Sequence, residues 1–397
     1  MKESSAMNII DAIADFHDDL VAWRRDIHAH PELGFEEMRT SDLVAQKLES
    51  FGLEVHRGLA KTGIVASLRV GNSPRAIGLR ADMDALPILE ANVFDHRSRE
   101  NGKMHACGHD GHTAMLLGAA RYLAEHRDFD GCVHFIFQPA EEGLGGAKAM
   151  VDEGLFDLFP MEAVYGMHNS PGYPVGTFLI RPGAMMAGGA FFDIAITGTG
   201  AHGARPESGI DPVIVAAQIT MALQTIISRN TAPLDTAVVS ITQIHGGDAY
   251  NVIPETARLS GTVRAFSREV MAMIEEKMGQ IASGVAQGFG ATATLDFREI
   301  FAPLVNTAEE TELVADVAAG IVGEANIDRR RPPIMASEDF STMLEACPGA
   351  YINIGNGNQE GYCQVHNHHY DFNDEILTLG ASYWARLVEK KLAKEPL

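Results

Sequence analysis

Strand-like and helix-like patterns alternate along this chain, but a central stretch of about a hundred residues follows a closed order of its own, and that interruption restricts the folds available. Before it, a helical period runs through "TSDLVAQKLESFG", and strand-like runs occupy "GIVASLRV" and "AIGLRAD". A helix is expected from about Thr113, followed by the strand "CVHFIFQPA". From about Arg181 the pattern changes. Phe192, Ile194 and Ile196 alternate as in a half-buried strand. Asp211-Pro212 has the form of an N-cap with proline at the first helical position, and Val215, Ile219, Leu223 and Ile226 fall on one helical face. "TAVVSITQI" and "ARLSGTVRAF" read as two strands, Val270, Ile274, Met278, Ile281 and Val285 as a second helical stripe, and "ATATLDF" as a closing strand. The order β-α-β-β-α-β is that of a ferredoxin-like unit. Alternation then resumes through "ASEDFSTMLEAC", the strand "AYINIG" and a helix from about Asp374 to Leu392. The expectation is an α/β protein in which residues 1–182 and 299–397 form a discontinuous larger domain and residues 183–298 an insertion.

A chain of 397 residues is long enough for two cores. Its 31 Lys+Arg against 53 Asp+Glu give a formal charge of -22, which repels phosphate backbones, and no basic run could track one. Nucleic acid is not an expected partner. The stretch "MKESSAMNIIDAIADFHDDL" has no basic segment leading into an apolar one, and no apolar run approaches bilayer length. A cytoplasmic protein without a membrane partner is therefore expected. Cys107, Cys132, Cys347 and Cys363 show no C-x-x-C spacing, so neither a redox pair nor a cysteine-rich zinc finger is indicated.

Chemistry concentrates first in "MHACGHDGH", Met104 to His112. Cys107 and His109 sit two apart, a spacing that lets both point to one side of an extended segment, with Asp110 at the start of the next helix. Thiolate and imidazole suit zinc and tolerate other late first-row metals. His105 and His112 are read as structural. "QPAEEG" ends a strand in adjacent acids, so one of Glu141 and Glu142 can bind metal while the other takes a proton from water. Asp82 and Asp84 follow another strand and could ligate metal or orient a ligand histidine. His168 follows a further strand, and "VHNHHYDFND" offers His366, His368 and His369. Cys107, His109, Glu142, His168 and one of the last three make five mixed ligands. A closed structural zinc site needs four, so five spread over strand ends suggest two metals sharing a bridging ligand and a water.

Together with "RRDIHAHPELGFEE", "GLRADMDALP", "FIFQPAEEGLGGAKAM", "YGMHN", "GTGAHGARPESGIDP", "NVIPETARLSGTVR", "ASEDF" and "YDFND", these residues resemble the M20 metallopeptidase family nearly end to end. Within it they are similar to the branch of hippurate hydrolases, N-acyl-amino-acid amidohydrolases and auxin-conjugate hydrolases. The resemblance implies a zinc-peptidase-like catalytic domain whose ferredoxin-like insertion is a lid and the interface of a homodimer, from which a larger homo-oligomer could be built. It implies two divalent ions per subunit (zinc, manganese, cobalt or nickel) held by Cys107, His109, Glu142, His168 and His366, with Cys107 bridging. His368 stays open as a substitute for His366. Glu141 would be the general base and Asp84 a support from behind. His202 would reach a neighbouring subunit's site to stabilise the oxyanion, while Asn251, Arg264 and the backbone around Gly355 would hold the substrate carboxylate. Many members bridge their metals with aspartate where this branch has cysteine.

The implied reaction is hydrolysis of the amide between an acyl group and an amino acid. A metallo-dipeptidase or carboxypeptidase is the rival within enzymology, and a metal-binding protein without catalysis the rival outside it.

Overall fold

The computed structural model describes residues 7–394, so the first six residues of the N-terminal stretch read above lie outside the described residues. By internal contacts the chain forms two units, described separately below. Among the described residues, the first comprises residues 7–183, Val305–Pro332 and residues 339–394; the second is Ala184–Leu304 with Pro333–Glu338.

The first unit is built on an eight-stranded sheet. Its strands lie in the order Glu54–Leu59, Gly63–Val70, Gly131–Gln138, Ala76–Asp82, Ala163–Ser170, Gly349–Gly355, Phe178–Leu179 and Ile327–Asp328. The four central strands from Gly131–Gln138 to Gly349–Gly355 are mutually parallel. Parallel strands carry helices on both faces and read as continuous apolar runs. Accordingly, every residue of Ala76–Asp82, Gly131–Gln138 and Gly349–Gly355 is buried. The helices His17–Ala29, His109–Glu125 and Leu377–Lys391 share one core through Leu20, Leu116, Leu117, Leu379 and Trp384. Each such side chain contributes about 1.5–3 kcal/mol on burial. Parallel strands end on one side of the sheet, which is where α/β proteins place their ligands.

The second unit carries a four-stranded antiparallel sheet in the order Ala237–Gly246, Thr256–Ala265, Gly188–Thr197 and Thr292–Phe301, covered by the helices Pro212–Thr225 and Arg268–Gly288. This is the β-α-β-β-α-β order, with the first and third strands central. Asp211 Oδ1 accepts the N–H of Val213 at 2.9 Å, so the expected N-cap forms ahead of Pro212. On the second helix Val270, Ile274 and Met278 are buried as expected, but Ile281 and Val285 are only half-buried and Ala282 and Ala286 complete the stripe. Pro333–Glu338 joins this unit because the Ala187 N–H donates to both Ile334 O and Ala336 O at 3.0 Å.

By length and composition only, Pro212–Asn230, 19 residues with a mean hydropathy of 1.2, is apolar enough to cross a bilayer. Gln218, Thr220 and Gln224 interrupt its apolar run. One face of this helix, Val215, Ile219 and Leu223 with Ile226 beyond, packs into the second core.

Candidate functional site

His109 opens a helix, one residue ahead of Asp110, which the sequence reading sets at a helix start, and four ahead of the apolar pattern from about Thr113. Gly108 precedes it at φ 98°, and a Cβ there would meet Asn169 Nδ2 at 2.4 Å and Tyr370 Oη at 2.7 Å. Only glycine fits that left-handed, crowded corner. Cys107 and His109 therefore flank a tight turn and do not lie along an extended segment. Across that turn the Asn169 amide donates to Cys107 O at 2.6 Å, and the Tyr370 hydroxyl donates to Asn169 Oδ1 at 2.7 Å.

Cys107 Sγ lies 3.3 Å from His168 Nε2, and His168 Nδ1 donates to Asn169 O at 2.7 Å, which fixes the ring with Nε2 toward the thiol. His109 Nδ1 lies 2.8 Å from Asp84 O and 3.2 Å from Asp84 Oδ1. Asp84 Oδ2 in turn accepts the N–H of Glu142 at 2.9 Å. One buried carboxylate thus touches both a histidine and the acidic turn, as a group orienting ligands would. Glu142 Oε1 is 3.2 Å from His366 Nε2, and the His366 N–H donates to Ala106 O at 2.7 Å.

Donor atoms of Cys107, His109 and His168 lie within 4.8 Å of one another, as do those of Cys107, Glu142 and His366 and those of His109, Glu141 and Glu142. Cys107, His109 and Glu142 each belong to two of these groups, so the three groups form one connected cluster. His368 and His369 are exposed, and neither joins a group among the described residues. Asp82, His109 and His112 also approach one another. Their chemistry is already committed, however: Asp82 accepts from His112 Nδ1 at 2.6 Å and from Arg80 at 2.7 Å, and His112 Nε2 accepts the Asn169 N–H at 3.0 Å.

Burial, together with Glu142 and Glu141, pushes the Cys107 thiol well above its ordinary range. Burial also opposes the charged form of His109, but Asp82 and Asp84 outweigh it and raise this imidazole to about 10. Burial and the neighbouring His112 push His168 well down. His109 Nε2 is buried without a hydrogen-bond partner among the described residues. An orphaned imidazole nitrogen, a crowded thiol and convergent carboxylates fit a divalent cation, which reverses the penalty on each anionic donor.

Sequence reasoning missed a charged network behind this turn. Arg24, fully buried, donates to Asp374 Oδ1 at 2.8 Å and Asp371 Oδ1 at 2.7 Å, and lies 3.5 Å from Asp110. The "HAHPELG" segment supplies His28, which meets Asp110 Oδ2 at 2.8 Å. An arginine and a histidine four apart, so on one helical face, were the available signal.

Of the remaining expected residues, Gly355 closes a central strand of the first unit, and its N–H is taken by Thr177 O at 2.9 Å. His202, Asn251 and Arg264 lie in the second unit. The short strand Ala201–His202 pairs with Val252–Ile253, and the Gly203 N–H donates to Asn251 O at 2.7 Å, which brings His202 and Asn251 together. Arg264 donates to Thr262 Oγ1 at 2.6 Å and Val263 O at 2.9 Å, and makes no ion pair among the described residues.

Residues 78–390 match the model of peptidase family M20/M25/M40. The chain belongs to this family. Hippurate hydrolase of Campylobacter jejuni is 44% identical over 387 residues, covering 97% of this chain and all of that one. Thermostable carboxypeptidase 2 of Saccharolobus solfataricus is 39% identical, covering 95% and 96%. A Bacillus subtilis protein described as a dinuclear metal binding peptidase from the M20 family has a solved structure with a TM-score of 0.83 and 35% identity, covering 96% of this chain and 99% of that one. A metal-dependent hydrolase of the M20 family is what the donor cluster and these likenesses jointly establish.

Proposed function

We propose that this M20 hydrolase cleaves the amide bond of N-acyl amino acids, releasing a carboxylic acid and a free amino acid. The observation that carries the reading is the convergence of Cys107, His109, Glu142, His168 and His366, with Glu141 beside them. These five residues are proposed to hold two divalent ions, Cys107 being shared. When bound, such ions supply Lewis acidity, polarising the amide carbonyl and lowering the pKa of water at the site.

The chain's own groups do the rest. Glu141 takes a proton from the attacking water and passes it to the departing amine. Asp84 keeps Nε2 of His109 directed at the cluster by holding Nδ1, and anchors the Glu142 amide. His202 donates a hydrogen bond to the tetrahedral oxygen. Asn251 and Arg264 hold the amino-acid carboxylate; that Arg264 makes no ion pair among the described residues supports that role. Gly355 enters as a point of close approach, its own N–H being committed to Thr177.

Resemblance to hippurate hydrolase over whole chains supports an acylated amino acid as substrate. The carboxypeptidase relative keeps a peptide substrate in view, since both reactions release an amino acid bearing a free carboxylate. We further propose a homodimer through the second unit. The edge strand Ala237–Gly246 and the exposed apolar side chains Ile214, Met221 and Tyr250 support it. All four cysteines are free thiols, which supports a reducing, cytoplasmic setting.

The deciding experiment measures amino-acid release from hippurate, N-acetyl amino acids and dipeptides, before and after loading apo protein with zinc, manganese, cobalt or nickel. Metal-dependent release from acylated substrates is expected. Release from dipeptides alone would move the protein to the peptidases, and silence on every pairing would revive a non-catalytic metal binder. Glu141→Gln should keep its metal and lose turnover by about 10²–10⁴-fold.

A further inference from the structure

We infer that Glu37 is a positioning residue that sets the direction of Glu141. Glu37 is fully buried and immediately precedes the helix Met38–Ser50, yet it caps none of that helix's amides. Glu32 serves there instead, accepting the N–H groups of Arg39 at 2.9 Å and Thr40 at 2.8 Å. Glu37 is thereby free to reach across the fold, where Oε1 accepts the Ala140 N–H at 2.9 Å and Oε2 the Thr62 hydroxyl at 2.7 Å.

What it grips is an unusual piece of backbone. Ala140 has φ 55°, a left-handed conformation that side chains other than glycine rarely adopt and that persists where surroundings enforce it. The enforcement is visible on three sides. Glu37 holds the Ala140 N–H, the Ala140 carbonyl accepts from the Gly146 N–H at 3.0 Å, and Gly34 packs so closely that a Cβ there would meet Ala140 Cα at 3.0 Å. On the far side of Glu141, the Glu142 N–H is held by Asp84 Oδ2 at 2.9 Å. The peptide N–H groups flanking Glu141 are therefore each tied to a buried carboxylate. With the backbone fixed on both sides, the Cα–Cβ vector of Glu141 has one direction. Putting a buried carboxylate beside Asp84 costs solvation, which a purely structural hydrogen bond could have avoided with a neutral acceptor.

The inference rests on Glu141 acting as the proton-transferring group, so its test is built to separate the two. Glu37→Asp keeps the charge but withdraws the carboxylate by one methylene; Glu37→Gln keeps the reach, with its carbonyl oxygen accepting from Ala140 and its amide facing Thr62. Backbone amide exchange over residues 138–146, metal content, kcat and KM are measured for both variants on the metal-loaded protein, with Glu141→Gln as reference. The expected result for Glu37→Asp is faster exchange, unchanged metal content, and kcat lower by about 10–100-fold with KM within about twofold. Glu37→Gln should restore slow exchange and most of kcat. Unchanged exchange in Glu37→Asp would overturn the tether whatever the activity. Faster exchange with normal kcat, while Glu141→Gln is inactive, would overturn the positioning role. Normal turnover in Glu141→Gln would instead remove the reading of Glu141, leaving exchange to judge the tether alone. An impaired Gln variant beside a normal Asp variant would assign the effect to charge and overturn the inference.

Discussion

His28 Nδ1 stands 2.8 Å from Asp110 Oδ2, with both side chains withdrawn from solvent, one residue along the chain from His109. Through this pair the helix His17–Ala29 grips the first turn of the helix that carries the site. Removing the imidazole leaves a buried carboxylate with Arg24 at 3.5 Å as its remaining partner. His28→Ala is expected to cost about 3 kcal/mol in denaturant unfolding, the lower end for a broken buried pair. A loss below about 0.5 kcal/mol would show that the pair adds nothing to Arg24.

The same pair predicts a pH dependence. Burial disfavours the charged imidazole, but Asp110 and Glu90 outweigh it, and His28 is raised to about 9 against an unfolded value near 6.5. A folded value above the unfolded one means that the stabilisation is complete below about 6.5 and is lost as pH rises through about 9. Unfolding of wild type and His28→Ala should therefore converge between pH 6.5 and 9. A difference that stays constant across that range would contradict the pairing.

Asp84 contacts both His109 and the amide of Glu142, so it acts on two parts of the cluster at once. Asp84→Asn should weaken metal binding about 10–100-fold in a chelator competition while leaving the fold intact. Unchanged affinity would confine Asp84 to packing.

Ligands that bind only the folded state raise its stability. Chelation should abolish hydrolysis and lower Tm, and adding one divalent metal back should restore both. Cys107→Ala should show a low Tm that metal no longer raises. Identical Tm values with and without chelator would mean that the cluster holds no ion in solution.

If the second unit joins two subunits and His202 serves the neighbouring site, inactive His202→Ala and Glu141→Gln chains should regain activity when mixed and allowed to exchange, because a mixed dimer rebuilds one intact site. No recovery in a mixed dimer proven to form would place His202 in its own chain's chemistry.

Where a pattern depended on neighbours in the chain, the sequence disclosed it. Strands Gly63–Val70 and Ala76–Asp82 lie where their apolar runs place them, and Asp211 caps the helix its proline announces. The apolar pattern pointed to Thr113, later than Asp110, because His109, Asp110, Gly111 and His112 are all buried, so polarity carried no facial signal in the first turn. Asp84, His28 and Asp82, residues far away in sequence, each take one polar atom of His109, Asp110 and His112, while His109 Nε2 has no hydrogen-bond partner among the described residues. Among the three C-terminal histidines, spacing to "YDFND" favoured His366 but left His368 open. All three are exposed, but a left-handed turn at His366, φ 64°, and its hydrogen bond to Ala106 go with a ring that reaches Glu142, whereas His368 and His369 join no donor group among the described residues.

By itself, then, the sequence determined the α/β architecture, the ferredoxin-like order of the second unit and the residue types that could bind metal and move a proton. Periodicity, caps and donor chemistry are properties of short stretches. Tertiary structure alone decided which donors share a neighbourhood, that Cys107, His109 and Glu142 each link two donor groups, and that Glu37 and Asp84 hold the backbone on either side of Glu141. Those relations span up to about a hundred residues of chain in the tether and more in the cluster. They exist because parallel strands far apart in sequence end on the same side of one sheet.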